Sequence, residues 1–125
     1  MRIRYTTGAR SDLLQLRRYV SGRFDAATWS RSLTELRDRI ALLAEQPRLG
    51  TVPPELEELG IDRYLELSVG RDWIIYELRD DTVFILLVVD HRRDFRAVLS
   101  RRLLEPPTND ARAGIEGVTG YPEAD

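Results

Sequence analysis

Residues Asp62 to Glu105 read DRYLELSVGRDWIIYELRDDTVFILLVVDHRRDFRAVLSRRLLE, three β-type runs joined by short turns and followed by a charged knot, Asp90-His91-Arg92-Arg93-Asp94. In the first run Leu65, Leu67 and Val69 alternate with Tyr64, Glu66 and Ser68, which predicts one buried and one wetted face. Gly70-Arg71-Asp72 turns the chain into Trp73-Ile74-Ile75-Tyr76-Glu77-Leu78, and Arg79-Asp80-Asp81 turns it again. The third run, Val83-Phe84-Ile85-Leu86-Leu87-Val88-Val89, shows no alternation and is strongly β-prone, the pattern of a central strand covered on both faces. Asp94 suits the cap of a last helix, with Phe95, Val98, Leu99 and Leu103 facing inward and Arg96, Arg101 and Arg102 facing out.

Upstream, Arg2-Ile3-Arg4-Tyr5-Thr6 alternates as a strand does, and Thr6 or Thr7 can cap the helix that follows. Ala9, Leu13, Leu16 and Tyr19 or Val20 recur at helical spacing, and Ser21-Gly22 supplies a C-cap glycine. Asp25 caps a longer helix whose apolar stripe is Trp29, Leu33, Leu36, Ile40 and Leu43, ended by Gln46-Pro47 because proline disfavours helix in the residue before it. The short link between the two stripes makes them an antiparallel hairpin. Residues 48–61 hold Gly50, Pro53, Pro54 and Gly60 around the acidic group Glu55, Glu57 and Glu58, a connection with room for one turn of helix after Pro54. The order β-α-α-β-β-β-α predicts an α+β domain: a helical hairpin on a small, mostly antiparallel sheet, closed by a C-terminal helix.

Composition narrows the chemistry. A chain of 125 residues fits one domain, and its lack of cysteine removes disulfides, thiolate metal sites and thiol catalysis together. With His91 the only histidine, no histidine-based metal site and no cofactor is expected. All nineteen basic residues are arginine, so no lysine is available as base or Schiff-base former, and anion recognition falls to guanidinium forks. No run is long enough to span a membrane and the N-terminus lacks the apolar core of a secretion signal, so the expected compartment is the cytoplasm. The net charge of −2 is uneven: Glu105, Asp110, Glu116, Glu123 and Asp125 against Arg112 leave residues 1–104 with eighteen arginines and sixteen acids. We therefore divide the chain into a domain over 1–104 and a flexible acidic tail over 105–125. Positive charge gathers just after the last strand, in Arg92, Arg93, Arg96, Arg101 and Arg102 against Asp94.

Particular residues in this order resemble the RelE/ParE superfamily of toxins from bacterial type II toxin–antitoxin pairs. They are Ala9-Arg10-Ser11-Asp12-Leu13-Leu14, the stretch ending Pro47-Arg48-Leu49-Gly50, Gly60 before a tyrosine-bearing strand, Trp73-Ile74-Ile75-Tyr76-Glu77 and Val88-Val89-Asp90-His91-Arg92-Arg93-Asp94. The likeness covers about residues 3 to 104. It implies a toxin bound by a cognate antitoxin, with a target that differs by branch: RelE-like members cleave messenger RNA on the ribosome, whereas ParE-like members poison DNA gyrase. The nuclease branch carries lysines on one strand, an arginine in the following tyrosine-containing motif, an arginine after the last strand, and a distal tyrosine. In this chain those positions fall near Tyr64 and Glu66, at Trp73, at Arg92 and near Val98, so Arg92 alone matches.

The resemblance therefore implies a gyrase-binding toxin without chemistry of its own. The alternatives are a ribosome-dependent mRNA endoribonuclease using Arg92 and His91, and an antitoxin-binding domain that has lost toxicity. Cleavage of RNA through its own 2′-hydroxyl needs a base, an acid and positive charge on the phosphorane; an arginine supplies only the last. The expected target- or partner-binding residues are Arg92, Arg93, Arg96, Trp73, Arg101 and Arg102.

Overall fold

The structure is a computed structural model that describes residues 1–104, the side chains of Leu103 and Leu104 excepted. The tail expected over 105–125 and the inward side chain expected of Leu103 lie outside the described residues. The elements are β1 (Arg2–Tyr5), α1 (Thr7–Arg23), α2 (Ala26–Leu42), α3 (Pro54–Glu57), β2 (Tyr64–Val69), β3 (Asp72–Arg79), β4 (Thr82–Asp90) and α4 (Phe95–Leu99), the last widening into a π-helical turn over Ser100–Leu104. The sheet has the order β1-β4-β3-β2. β4 pairs parallel with β1 and antiparallel with β3, which pairs antiparallel with β2. The expected α+β order is thus present, in a mixed four-stranded sheet.

Helix starts follow the sequence signals. Thr6, not Thr7, caps α1: its Oγ1 accepts from the Ala9 amide at 3.1 Å and donates to the Ile85 carbonyl at 3.2 Å, fixing the helix start to the central strand. Asp25 caps α2 by accepting from the Thr28 amide at 2.7 Å, and the Thr28 side chain first, then that amide, lower its carboxyl pKa. Helix ends differ from expectation. α1 runs through Gly22 to Arg23, and the Phe24 amide closes it on the Val20 carbonyl at 2.9 Å. α2 stops at Leu42, before Pro47 is reached. Bonds from Leu43 to Ile40, Ala44 to Ala41 and Glu45 to Leu42 tighten it into three-residue turns.

Two apolar layers flank the sheet. On one face, Leu13, Leu16, Val20, Trp29, Leu33, Leu36 and Ile40 of the hairpin pack against Leu65, Leu67, Ile74, Tyr76, Val83, Ile85 and Val88. On the other, Leu56 of α3 and Val98 and Leu99 of α4 cover Tyr64, Ile75, Leu86, Leu87 and Val89. β4 is therefore covered on both faces, as its unbroken apolar run requires. β2 departs from the expected pattern because α3 and α4 cover the face that was to be wet: Tyr64 is buried and Glu66 half-buried, leaving Ser68 exposed.

The two strand turns each take two residues, and in both the first sits in the left-handed region, Gly70 at φ 58° and Asp80 at φ 53°. Asp tolerates that conformation. At Gly70 the added Cβ would meet only the end of the Glu35 side chain, which can move aside, so the positive φ is what favours glycine there. Between the partners Ile75↔Leu87 and Tyr76↔Ile85 the register shifts, leaving Leu86 as a bulge in β4. No helix among the described residues is long and apolar enough to cross a membrane.

Candidate partner-binding site

β4 ends at Asp90, a buried carboxylate whose position decides the conformation of the knot. Its Oδ1 accepts the Arg92 amide at 3.0 Å and its Oδ2 pairs with Arg92 Nε at 3.0 Å, so one side chain fixes both the backbone and the guanidinium two residues on. From α1, the Tyr19 ring lies beneath that guanidinium, with Arg92 Cζ 3.5 Å from the ring centroid. The Arg92 side chain is still 52% exposed. Beside it opens a cleft of about 170 Å³ between α1 and β4, lined by Asp12, Gln15, Leu16, Val88, Val89, Asp90, Arg92 and Arg93.

A second acid stands behind Asp90. Asp72 is its cross-strand partner at the start of β3 and is itself buried. Burial, then the neighbouring Asp90 and Glu35 carboxylates, push its pKa from 3.8 to about 7. Asp90 has the Arg92 guanidinium as its counter-charge, whereas Asp72 has two further acids.

The other expected site residues divide among different surroundings. His91 is exposed; its amide donates to the Arg71 carbonyl at 2.7 Å, and its ring lies 4.6 Å from that of Trp73. Trp73 continues to Phe95 at 5.1 Å and belongs with the apolar layer under α3 and α4, while Arg92 sits against the hairpin layer through Tyr19. Arg93 is exposed at the rim of the cleft. Arg96 is exposed too and pairs with Glu55 at 3.6 Å, linking α4 to α3. Arg101 is exposed on the π-helical turn. The knot is thus not one continuous cationic patch.

Arg102 corrects the expectation of an outward-facing residue. It folds back, its Nη2 reaching Asp12 Oδ1 at 2.8 Å and its Nη1 reaching Asp12 Oδ2 at 3.2 Å and the Leu86 carbonyl at 3.0 Å. Asp12 Oδ2 also accepts the Val88 amide at 3.0 Å. The cause lies in the sheet: β1 pairs only as far as Ile85, and beyond that point the bulged edge of β4 has backbone groups with no strand to receive them. A bidentate ion pair takes the strand's place. Asp12 was legible as a buried position, because 9, 12, 13, 16 and 20 form one helical stripe. Its partner was not, since ninety residues separate them.

Tyr76 is wholly buried and holds the loop before β2: its hydroxyl donates to the Pro47 carbonyl and accepts the Gly50 amide, both at 2.8 Å. Burial raises its pKa above the usual phenol value. Glu66, half-buried and near Glu55, is also raised, first by burial and then by that neighbour.

Comparison with known proteins gives one family. The family model described as the ParE toxin of type II toxin-antitoxin system, parDE, matches residues 3–95. No curated protein matches the chain.

Proposed function

The chain belongs to the ParE toxin family of type II toxin–antitoxin systems, and from that premise we propose that a cognate antitoxin holds it inactive and that, when free, it acts in the cytoplasm by binding DNA gyrase. Residues 1–104 form the toxin unit in this reading, and 105–125 an appended acidic tail. The observation that carries binding over chemistry is what stands where the resemblance puts the nuclease residues. Tyr64 and Val98 are buried, Glu66 is an acid whose neighbour is another acid, and Trp73 lies in tilted ring contact with both His91 and Phe95. These groups offer the phosphorane of an RNA-cleaving transition state no second cation. Arg92, already tied to Asp90 and Tyr19, is suited to hold a partner and not to move a proton.

The test sets two assays side by side on purified protein. Inhibition of gyrase supercoiling, relieved by the co-expressed antitoxin, is the expected outcome. Cleavage of messenger RNA on translating ribosomes with supercoiling untouched would sink the reading.

A further inference from the structure

We propose that the cleft between α1 and β4 is a receptor for a single carboxylate side chain, aspartate or glutamate, of a partner protein, with Arg92 as its fork and Tyr19 and Asp90 as the residues that position the fork. This deepens the reading above and rests on the partner being a protein.

The geometry carries the argument. A guanidinium has five N–H donors in one plane. In Arg92 the ring of Tyr19 covers one face of that plane, and the Asp90 carboxylate pairs with the Nε corner, 3.0 Å away. What remains is the outer edge, the two Nη groups, and among the described residues neither has a protein acceptor. That edge is the one that binds a carboxylate through two parallel hydrogen bonds. Fixing a long side chain before the ligand arrives removes part of the rotamer entropy that binding otherwise costs.

Size and charge choose the ligand class. The cleft holds about 170 Å³ and is open on one side, below the roughly 300 Å³ at which small-molecule pockets begin, which suits a side chain laid into it better than a larger ligand enclosed by it. Leu16, Val88 and Val89 offer apolar contact to the methylenes of such a side chain, and Gln15 an amide to a second oxygen. Arg92, Arg93 and the Arg102 bound to Asp12 stand against Asp12 and Asp90, one positive charge in excess, offset in part near neutral pH by the partly ionised Asp72 behind Asp90. That balance suits a monoanion. A phosphate dianion would meet two buried carboxylates within the same walls.

The full chain is titrated with sodium acetate and, separately, with inorganic phosphate at constant ionic strength, following the Gln15 side-chain amide and Arg93 backbone amide by NMR. Expected are saturable shifts with acetate, weakened about three- to five-fold in Tyr19→Leu, within two-fold of wild type in Tyr19→Phe, and at least about five-fold weaker in Arg92→Lys, which keeps the charge and loses the fork. Tyr19→Phe also guards against misfolding, because it retains the packing. No saturable shift, tighter binding of phosphate than of acetate, or undiminished binding in Arg92→Lys would each overturn the proposal. Gyrase supercoiling is measured on the same wild-type sample: its failure with acetate binding intact strikes only the target, and acetate failure with gyrase inhibition intact strikes only the receptor.

Discussion

Replacing Asp72 with asparagine tests whether a buried acid at the end of the sheet is held largely uncharged. In the folded chain its pKa is raised from 3.8 to about 7, by burial first and then by Asp90 and Glu35. A raised folded pKa means that the native state binds a proton the unfolded chain releases. Its contribution to stability is therefore fully present below pH ~4 and is lost as pH climbs through about 7. A gap of about three units is worth at most ~4 kcal/mol, and water reaching the strand end reduces this to about 2 kcal/mol. Asparagine keeps the shape and cannot ionise. Urea denaturation of both proteins at pH 5 and at pH 8 reads the difference, because titrating groups that do not interact with Asp72 are common to the two and cancel, leaving Asp72 with its coupling to Asp90 and Glu35. The gain of Asp72→Asn over wild type should grow by about 1 kcal/mol between those pH values, the part of the effect that falls above pH 5, with equal m-values. A difference that stays constant, or shrinks as pH rises, would refute the assignment.

Three further outcomes follow from contacts described above. Asp12→Ala should destabilise the domain by about 3 kcal/mol in urea, since it leaves the Val88 amide and the Arg102 guanidinium without their acceptor; the double replacement with Arg102→Ala should cost less than the two single changes added together. Tyr76→Phe should cost about 1–3 kcal/mol and lower the Tm, because the Gly50 amide and Pro47 carbonyl lose their shared hydroxyl. Arg92→Ala should weaken antitoxin binding by calorimetry at least ten-fold, whereas Arg96→Ala should change it less than three-fold, its ion pair with Glu55 being exposed.

How much of this was legible depends on the range of the signal. The caps at Thr6, Asp25 and Asp94, the hairpin stripes and the unbroken run of β4 are local patterns, and each formed the element it predicted. The second face of β2 was misread because its covering comes from α3 and α4, and alternation within one strand carries no information about a distant helix. The knot was visible as a charge cluster, but its division was not. Asp90 and Tyr19 draw Arg92 to the hairpin side, while Trp73 and Phe95 stay with the opposite layer. Arg102 shows the limit most clearly, since helical spacing placed it outward and a pairing with α1 turned it in.

That pairing has a consequence for how the chain is made. Val83 to Val89 is an uncharged, β-prone, proline-free segment, the composition from which cross-β aggregates grow. Its edge beyond Ile85 is sealed by Arg102 against Asp12, and the sealing guanidinium is translated after the segment it protects. At roughly 5–20 residues per second the strand is complete for about a second before its seal emerges from the ribosome. During that interval the edge is open to any extended chain nearby, including the same segment of a neighbouring nascent copy, so aggregation during synthesis should depend on Arg102 more strongly than folded-state stability does.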